Sequence, residues 1–151
     1  MSIQLTPFLS LSGKAKEAIR FYEKHLGAKV LFMKDYKGLK EMDPTFEYID
    51  SQAEYIAHSV LKIGDSILMA GDEIMSDDKN EIIGTNFSFC IQSNEIEEIK
   101  NMYNSLISDE NVKIIVPLEP NIFSHVYGII KDPFGIVIQL VAEKEMDVAK
   151  K

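Results

Sequence analysis

The sequence predicts an α+β protein built from paired βαβββ modules. Three observations predict it. Apolar periodicity runs strand, helix, strand, strand, strand in the first half and repeats that order in the second. Two hairpins superpose at a constant offset, residues 58–62 on 127–131, since 127 − 58 and 131 − 62 both equal 69. Both hairpins close on turn-forming residues, Gly64-Asp65 and Asp132-Pro133-Phe134-Gly135.

The elements follow in order. Residues 6–11 form an apolar strand. Residues 14–26 carry Ala18, Phe21, Tyr22 and Leu26 at helical spacing, and Gly27 suits the left-handed conformation that ends a helix. Residues 28–33 read as a strand. Residues 36–52, rich in charge and weak in pattern, read as a long loop. Residues 55–63 and 66–70 make the first hairpin. In the second half, residues 86–92 are an apolar strand. Asn94 is placed to cap a helix with Glu97 as its reciprocal partner. Ile96, Ile99, Met102, Tyr103 and Leu106 supply that helix's buried stripe. Residues 112–116, 123–131 and 136–142 are the remaining strands. The expected organisation is one domain over 1–151, with modules at 5–70 and 85–143. A linker at 71–84 carries Asp72, Glu73, Asp77, Asp78 and Glu81.

Composition bounds the function. The chain has 151 residues, 46% of them hydrophobic, enough for a core. It has no run of about 18 uncharged apolar residues that could span a membrane, and no secretory leader pattern at its start. Sixteen basic against 24 acidic side chains give a formal net charge of −8, which repels phosphate backbones and argues against nucleic-acid binding. The acidic balance reads as solubility, with attraction of a cationic ligand as the sharper alternative. One cysteine, Cys90, cannot form an internal disulfide, so a cytoplasmic setting is expected. Its apolar neighbours predict an inert buried thiol.

The chain also resembles a known family. The run LSGKAKEAIRFY at 11–22, followed by Leu26-Gly27-Ala28, resembles the opening of the vicinal-oxygen-chelate (glyoxalase/bleomycin-resistance/dioxygenase) superfamily. AHSVLKIGD at 57–65 and DPFG at 132–135 resemble its PhnB-like branch. The resemblance covers residues 6–141. It implies curved mixed sheets around a cleft, and frequent dimerisation. It also implies, for catalytic members, a divalent metal held by His, Gln and Glu from the first and last strands of each module. The matching positions here are Pro7, Leu68 or Met69, Asn86 and Gln139. Pro7 and Met69 supply no hard oxygen or imidazole donor, so the standard metal set is expected to be missing.

The leading expectation is therefore a dimeric small-molecule binder without cofactor or metal. Its cleft would be lined by Phe8, Met69, Phe87 and Phe123 beside the polar groups His58, Tyr127 and Gln139. His58 and Tyr127 occupy matching places in the repeat. For His58 a ligand role and a structural hydrogen bond weigh about equally; for His125 the structural one is favoured. No catalytic residue is assigned: Ser10, Ser59, Ser88 and Ser124 lie in strands and none sits on a nucleophile elbow. Two alternatives stand beside this. One is a glyoxalase-type lyase or isomerase with a non-standard metal site from His58, His125 and glutamates of residues 36–54. The other is a non-catalytic protein that binds a partner through a sheet edge or the 36–52 loop.

Overall fold

Each half of the chain closes a four-stranded mixed sheet around one long helix, and the two halves are separate compact units, Met1–Ile82 and Ile83–Lys151. A computed structural model describes residues 2–76 and 83–144. Asp77, Asp78 and Glu81 of the expected linker lie outside the described residues.

In the first unit, β1 (Phe8–Ser10) leads into α1 (Ala15–Leu26). Ala15, Ala18, Ile19, Tyr22 and Leu26 recur at helical spacing, and all are buried against the sheet. Gly27 ends the helix at φ 65°, and the Ala28 N–H reaches back to the Tyr22 carbonyl at 3.1 Å. Then come β2 (Lys29–Asp35), β3 (Ile56–Ile63) and β4 (Ser66–Gly71), in the spatial order β1-β4-β3-β2. β1 runs parallel to β4 and the other pairs are antiparallel. Leu9, Leu61, Leu68 and Ala70 face α1 and are buried, whereas their alternating neighbours form the opposite, open face.

The second unit repeats this plan with β5 (Phe89–Ser93), α3 (Ile96–Ile107), β6 (Lys113–Glu119), β7 (Ser124–Lys131) and β8 (Val137–Glu143), ordered β5-β8-β7-β6. Ile99 and Leu106 of α3 pack with Ile130, Ile138 and Leu140, all essentially inaccessible to solvent. Full burial of each such side chain contributes about 1.5–3 kcal/mol.

The pairing registers show how closely the halves correspond. Val60 pairs with Phe32 on one side and Met69 on the other; Ile129 pairs with Val116 and Gln139. A register irregularity falls at the same place in both, between Val30 and Phe32 and between Ile114 and Val116. The offset is 129 − 60 = 69 before the hairpin turn and 139 − 69 = 70 after it. The extra residue lies in the turn. Ile63 pairs with Ser66 across Gly64-Asp65, whereas Asp132 meets Ile136 across three residues.

Four expectations are corrected. Residues 36–52 are not a plain loop: they hold α2 (Tyr36–Met42) and a short 3-10 turn (Asp50–Gln52). The Asp35 carboxylate caps α2 by accepting the Gly38 N–H at 2.7 Å. Tyr36 packs against Phe46, Tyr48 and Tyr55 at 5.3–6.4 Å between ring centres. Asn94 does not cap α3. The N-cap is Glu95, without a side-chain cap bond, and Ser93 before it accepts the Glu95 N–H at 3.0 Å and donates to the Glu98 carboxylate at 2.7 Å. Cys90 is exposed, because it lies on an edge strand and points to the sheet face away from α3, in register with Gln139.

The fourth correction concerns Asp72, expected in an acidic linker. It is buried, and its carboxylate accepts three backbone N–H groups: Gly13 at 2.7 Å, Ala15 at 2.9 Å and Ile56 at 2.7 Å. It thereby ties the end of β4 to the start of α1 and of β3, satisfying donors that a buried helix start leaves unpaired.

Candidate functional site

On the open face of the first unit, one row of side chains crosses all four strands: Phe8, Met69, Val60 and Phe32, in register from β1 to β2. His58 lies two residues from Val60 on the same face. Its imidazole stacks on Phe8 with ring centres 6.1 Å apart and an 18° tilt, and meets Phe32 at 6.0 Å. Phe8 can lean this way because Gly71 carries no side chain. A Cβ there would stand 3.1 Å from Phe8 Cζ and 3.1 Å from the Ala57 carbonyl oxygen. His58 is half-buried, so it neither belongs to the core nor floats in solvent.

The corresponding row in the second unit is Cys90, Gln139, Ile129 and Val116. Tyr127 stands where His58 stands in the first unit. Its hydroxyl donates to Gln139 Oε1 at 2.8 Å, and Gln139 Nε2 donates to Ser88 Oγ at 2.8 Å. All three residues are half-buried. Cys90 shares the row, but burial and then the Glu143 carboxylate raise its pKa above the ordinary thiol value. Its thiol is therefore protonated and weakly nucleophilic at neutral pH.

The seven residues expected to line a pocket thus fall into groups. Phe8, His58 and Met69 come together on the first unit's open face, and Tyr127 and Gln139 on the second's. Phe87 and Phe123 join neither. They precede β5 and β7 and are 65% and 62% exposed, and Phe87 meets the neighbouring Phe89 ring at 6.2 Å. Sequence reasoning missed Phe32, because the irregularity at Leu31 changes which residues of β2 face which way. It missed Ser88 as a partner of Gln139, because only tertiary pairing joins positions 51 apart. His125 is exposed near the start of β7. The other strand serine in the first unit, Ser59, is buried and donates to the Ala70 carbonyl at 2.7 Å, a structural bond.

The paired positions on the outer strands bear on metal binding through their donor chemistry. The register places Phe8 beside Met69 and Cys90 beside Gln139 on the first and last strands of the two units. Asn86, the expected counterpart of Pro7, precedes β5 and stands outside this pairing. A phenyl ring, a thioether, a soft thiol and an amide already engaged by Tyr127 and Ser88 do not fit a hard divalent ion. Among the described residues no group of three or more His, Cys, Asp or Glu side chains is placed to hold a metal. No helix among these residues is long and apolar enough to cross a membrane.

Paired βαβββ units of parallel-edged four-stranded sheets, each backed by a helix, define a glyoxalase-like class of protein. The chain belongs to the Glyoxalase/Bleomycin resistance protein/Dioxygenase superfamily, whose family model matches residues 5–140. No curated protein matches the sequence. Among solved structures it is similar to protein PA1353 from Pseudomonas aeruginosa, at 25% identity and a TM-score of 0.77, over 95% of this chain and 100% of that one. It is similar in fold to a PhnB protein from Bacillus cereus described as a putative 3-demethylubiquinone-9 3-methyltransferase. There the identity is 22% and the TM-score 0.69, over 92% of this chain and 98% of that one. The fosfomycin resistance protein FosX from Mesorhizobium loti shares the fold at 7% identity and a TM-score of 0.62, over 100% and 99%.

Proposed function

We propose that this chain is a small-molecule binding member of the superfamily that works without a divalent metal, holding an organic ligand against its open sheet faces. One observation carries the reading. The paired positions on first and last strands are occupied by Phe8 and Met69 in one unit and by Cys90 and Gln139 in the other. These side chains make an apolar and neutral polar surface, which is the usual lining of a site for an organic molecule. The aromatic flank of Phe8, His58 and Phe32 adds a surface on which flat or hydrophobic groups stack.

Assembly as a two-fold homodimer belongs to the same proposal. The edge strands β2 and β6 each present three consecutive exposed apolar residues, Leu31-Phe32-Met33 and Ile114-Ile115-Val116. Exposed apolar edges favour pairing with another chain. A cytoplasmic setting fits the single cysteine.

The test has two arms. Chelator-stripped protein is offered zinc, nickel, manganese and iron(II) and analysed for bound metal, and an organic fragment library is screened by thermal shift. Little bound metal and a melting temperature raised by organic fragments are expected, since a ligand of the folded form stabilises it by mass action. One equivalent of retained metal, lost on His58→Ala, favours the lyase or isomerase alternative instead. Sedimentation giving only monomer at micromolar concentration rejects the dimer.

A further inference from the structure

Gln139 stands where the superfamily resemblance puts a metal-holding side chain, yet both ends of its amide are already engaged. We infer that Ser88, Gln139 and Tyr127 form a reader for an uncharged ligand group that carries a hydrogen-bond donor beside an acceptor, as in a primary carboxamide or lactam. This rests on the small-molecule reading above and specifies the chemistry of one of its faces.

The inventory of protons defines what the reader offers. Tyr127 has one hydroxyl proton, given to Gln139 Oε1, so its oxygen retains acceptor capacity. Gln139 Nε2 gives one proton to Ser88 Oγ and keeps the other. Ser88 accepts that bond and keeps its own hydroxyl proton to donate. The trio therefore presents donors at the Ser88 end and an acceptor at the Tyr127 end. Reversing the amide exchanges the roles of the two hydroxyls, but one end still donates and the other still accepts. The complementary partner is a group with C=O and N–H side by side. The trio is built from two hydroxyls and an amide, all neutral hydrogen-bonding groups, and Glu143, four residues along β8 from Gln139, adds negative charge to the same strand.

A purely structural role does not explain the trio. The repeat supplies an internal control, because Met69 occupies the place of Gln139 and His58 that of Tyr127. The first unit builds the same four-stranded sheet with a thioether at that point, so the fold does not require an amide there. All three polar side chains lie on the face opposite the helix and are half-buried, where a hydrogen bond to a ligand meets less competition from water.

The experiment uses the full-length chain labelled with nitrogen-15 and a matched pair of probes, benzamide and benzoate. The Gln139 side-chain amide signal is assigned by its loss in Gln139→Met, which copies the first unit. Benzamide is expected to shift that signal saturably and to bind at least about tenfold more tightly than benzoate, a difference of about 1.4 kcal/mol. Gln139→Glu keeps both neighbouring hydroxyls satisfied, because a carboxylate accepts from each. It should stay folded, shown by a dispersed spectrum, yet lose benzamide binding by at least about tenfold. Benzoate binding equal to benzamide, no saturable shift at Gln139, or benzamide binding unchanged in Gln139→Glu overturns the inference. Indole is added as an apolar probe. If indole shifts signals around His58 while benzamide leaves Gln139 untouched, this inference fails and the small-molecule reading stands. If no probe binds anywhere, both fail.

Discussion

The Tyr127 hydroxyl reaches diagonally across two strands to donate to Gln139 Oε1 at 2.8 Å, although Tyr127 pairs with Val141 and Gln139 with Ile129. The bond is therefore made by side chains, above the backbone ladder, and can be removed without disturbing the sheet. Tyr127→Phe keeps the ring and deletes the donor. Loss of one such bond costs about 0.5–1.5 kcal/mol. Ser88→Ala removes the other partner of the amide. Because both act on Gln139, urea denaturation of the two single variants and the double should give a non-additive cycle. Additive costs would mean that the two bonds do not communicate through the amide.

Asp72 should be among the most sensitive positions in the first unit. Its carboxylate serves three backbone N–H groups at 2.7–2.9 Å, one from the first residue of α1 and one from the turn just before it. Each orphaned buried donor costs about 1–3 kcal/mol. Asp72→Ala is expected to lower unfolding free energy by more than about 3 kcal/mol, and Asp72→Asn, which retains one acceptor oxygen, by about 1–3 kcal/mol. Chemical denaturation measures both. A loss below about 1 kcal/mol for Asp72→Ala would mean that water or another group replaces the clamp.

The same residue shows where sequence reading stops. Strands and helices with regular apolar spacing were legible, because α1, α3 and the two hairpins announce one buried face each. The duplication was legible as well, since the 69-residue offset survives in the pairing of Val60 and Ile129 with their neighbours. Asp72 was not legible: its partners lie 16 to 59 residues away and nothing local distinguishes it from Glu73. Helix α2 was hidden because its sequence, YKGLKEM, contains a glycine and no apolar stripe. Its N-terminus is fixed by Asp35, and the Tyr36 ring by aromatic contacts with Phe46, Tyr48 and Tyr55. In the candidate site, Phe8 and Met69 followed from the outer-strand positions that the family resemblance marks, and His58 from its strand register and the repeat. Phe32 depended on an irregular register and Ser88 on a tertiary hydrogen bond, neither of which has a periodic signature.

His58 separates ligand binding from stability. Its ring rests between Phe8 and Phe32 at about the limit of aromatic contact, each such contact contributing about 0.5–1.5 kcal/mol. With both contacts at the weak end of that range, about 0.5 kcal/mol each, His58→Ala is expected to lower stability by about 1 kcal/mol while weakening an apolar fragment bound on that face. Thermal melting with and without the fragment reads both quantities. A larger loss of stability with binding per folded molecule intact would make the imidazole a structural element instead.

Cys90 supplies a pH test of the second unit's face. Burial first, and the Glu143 carboxylate second, disfavour its thiolate and raise its pKa above the ordinary thiol value. Alkylation by iodoacetamide proceeds through the thiolate. The rate in the folded protein should therefore reach half its maximum at higher pH than in the same chain unfolded in urea, despite the exposure of the residue. Glu143→Gln should move the folded midpoint down, toward but not onto the unfolded one, because burial remains. The linked effect on stability has a definite sign. A raised pKa on an acid means that the folded state binds the proton more tightly than the unfolded state. Its contribution is full below the unfolded-state pKa and disappears as pH climbs through the folded-state value. Cys90→Ser should accordingly reduce the decline of stability across the alkaline range, from about pH 8.5 upward. A folded midpoint below the unfolded one would show that the thiolate is stabilised and would reverse the assignment of Cys90 as a weak nucleophile.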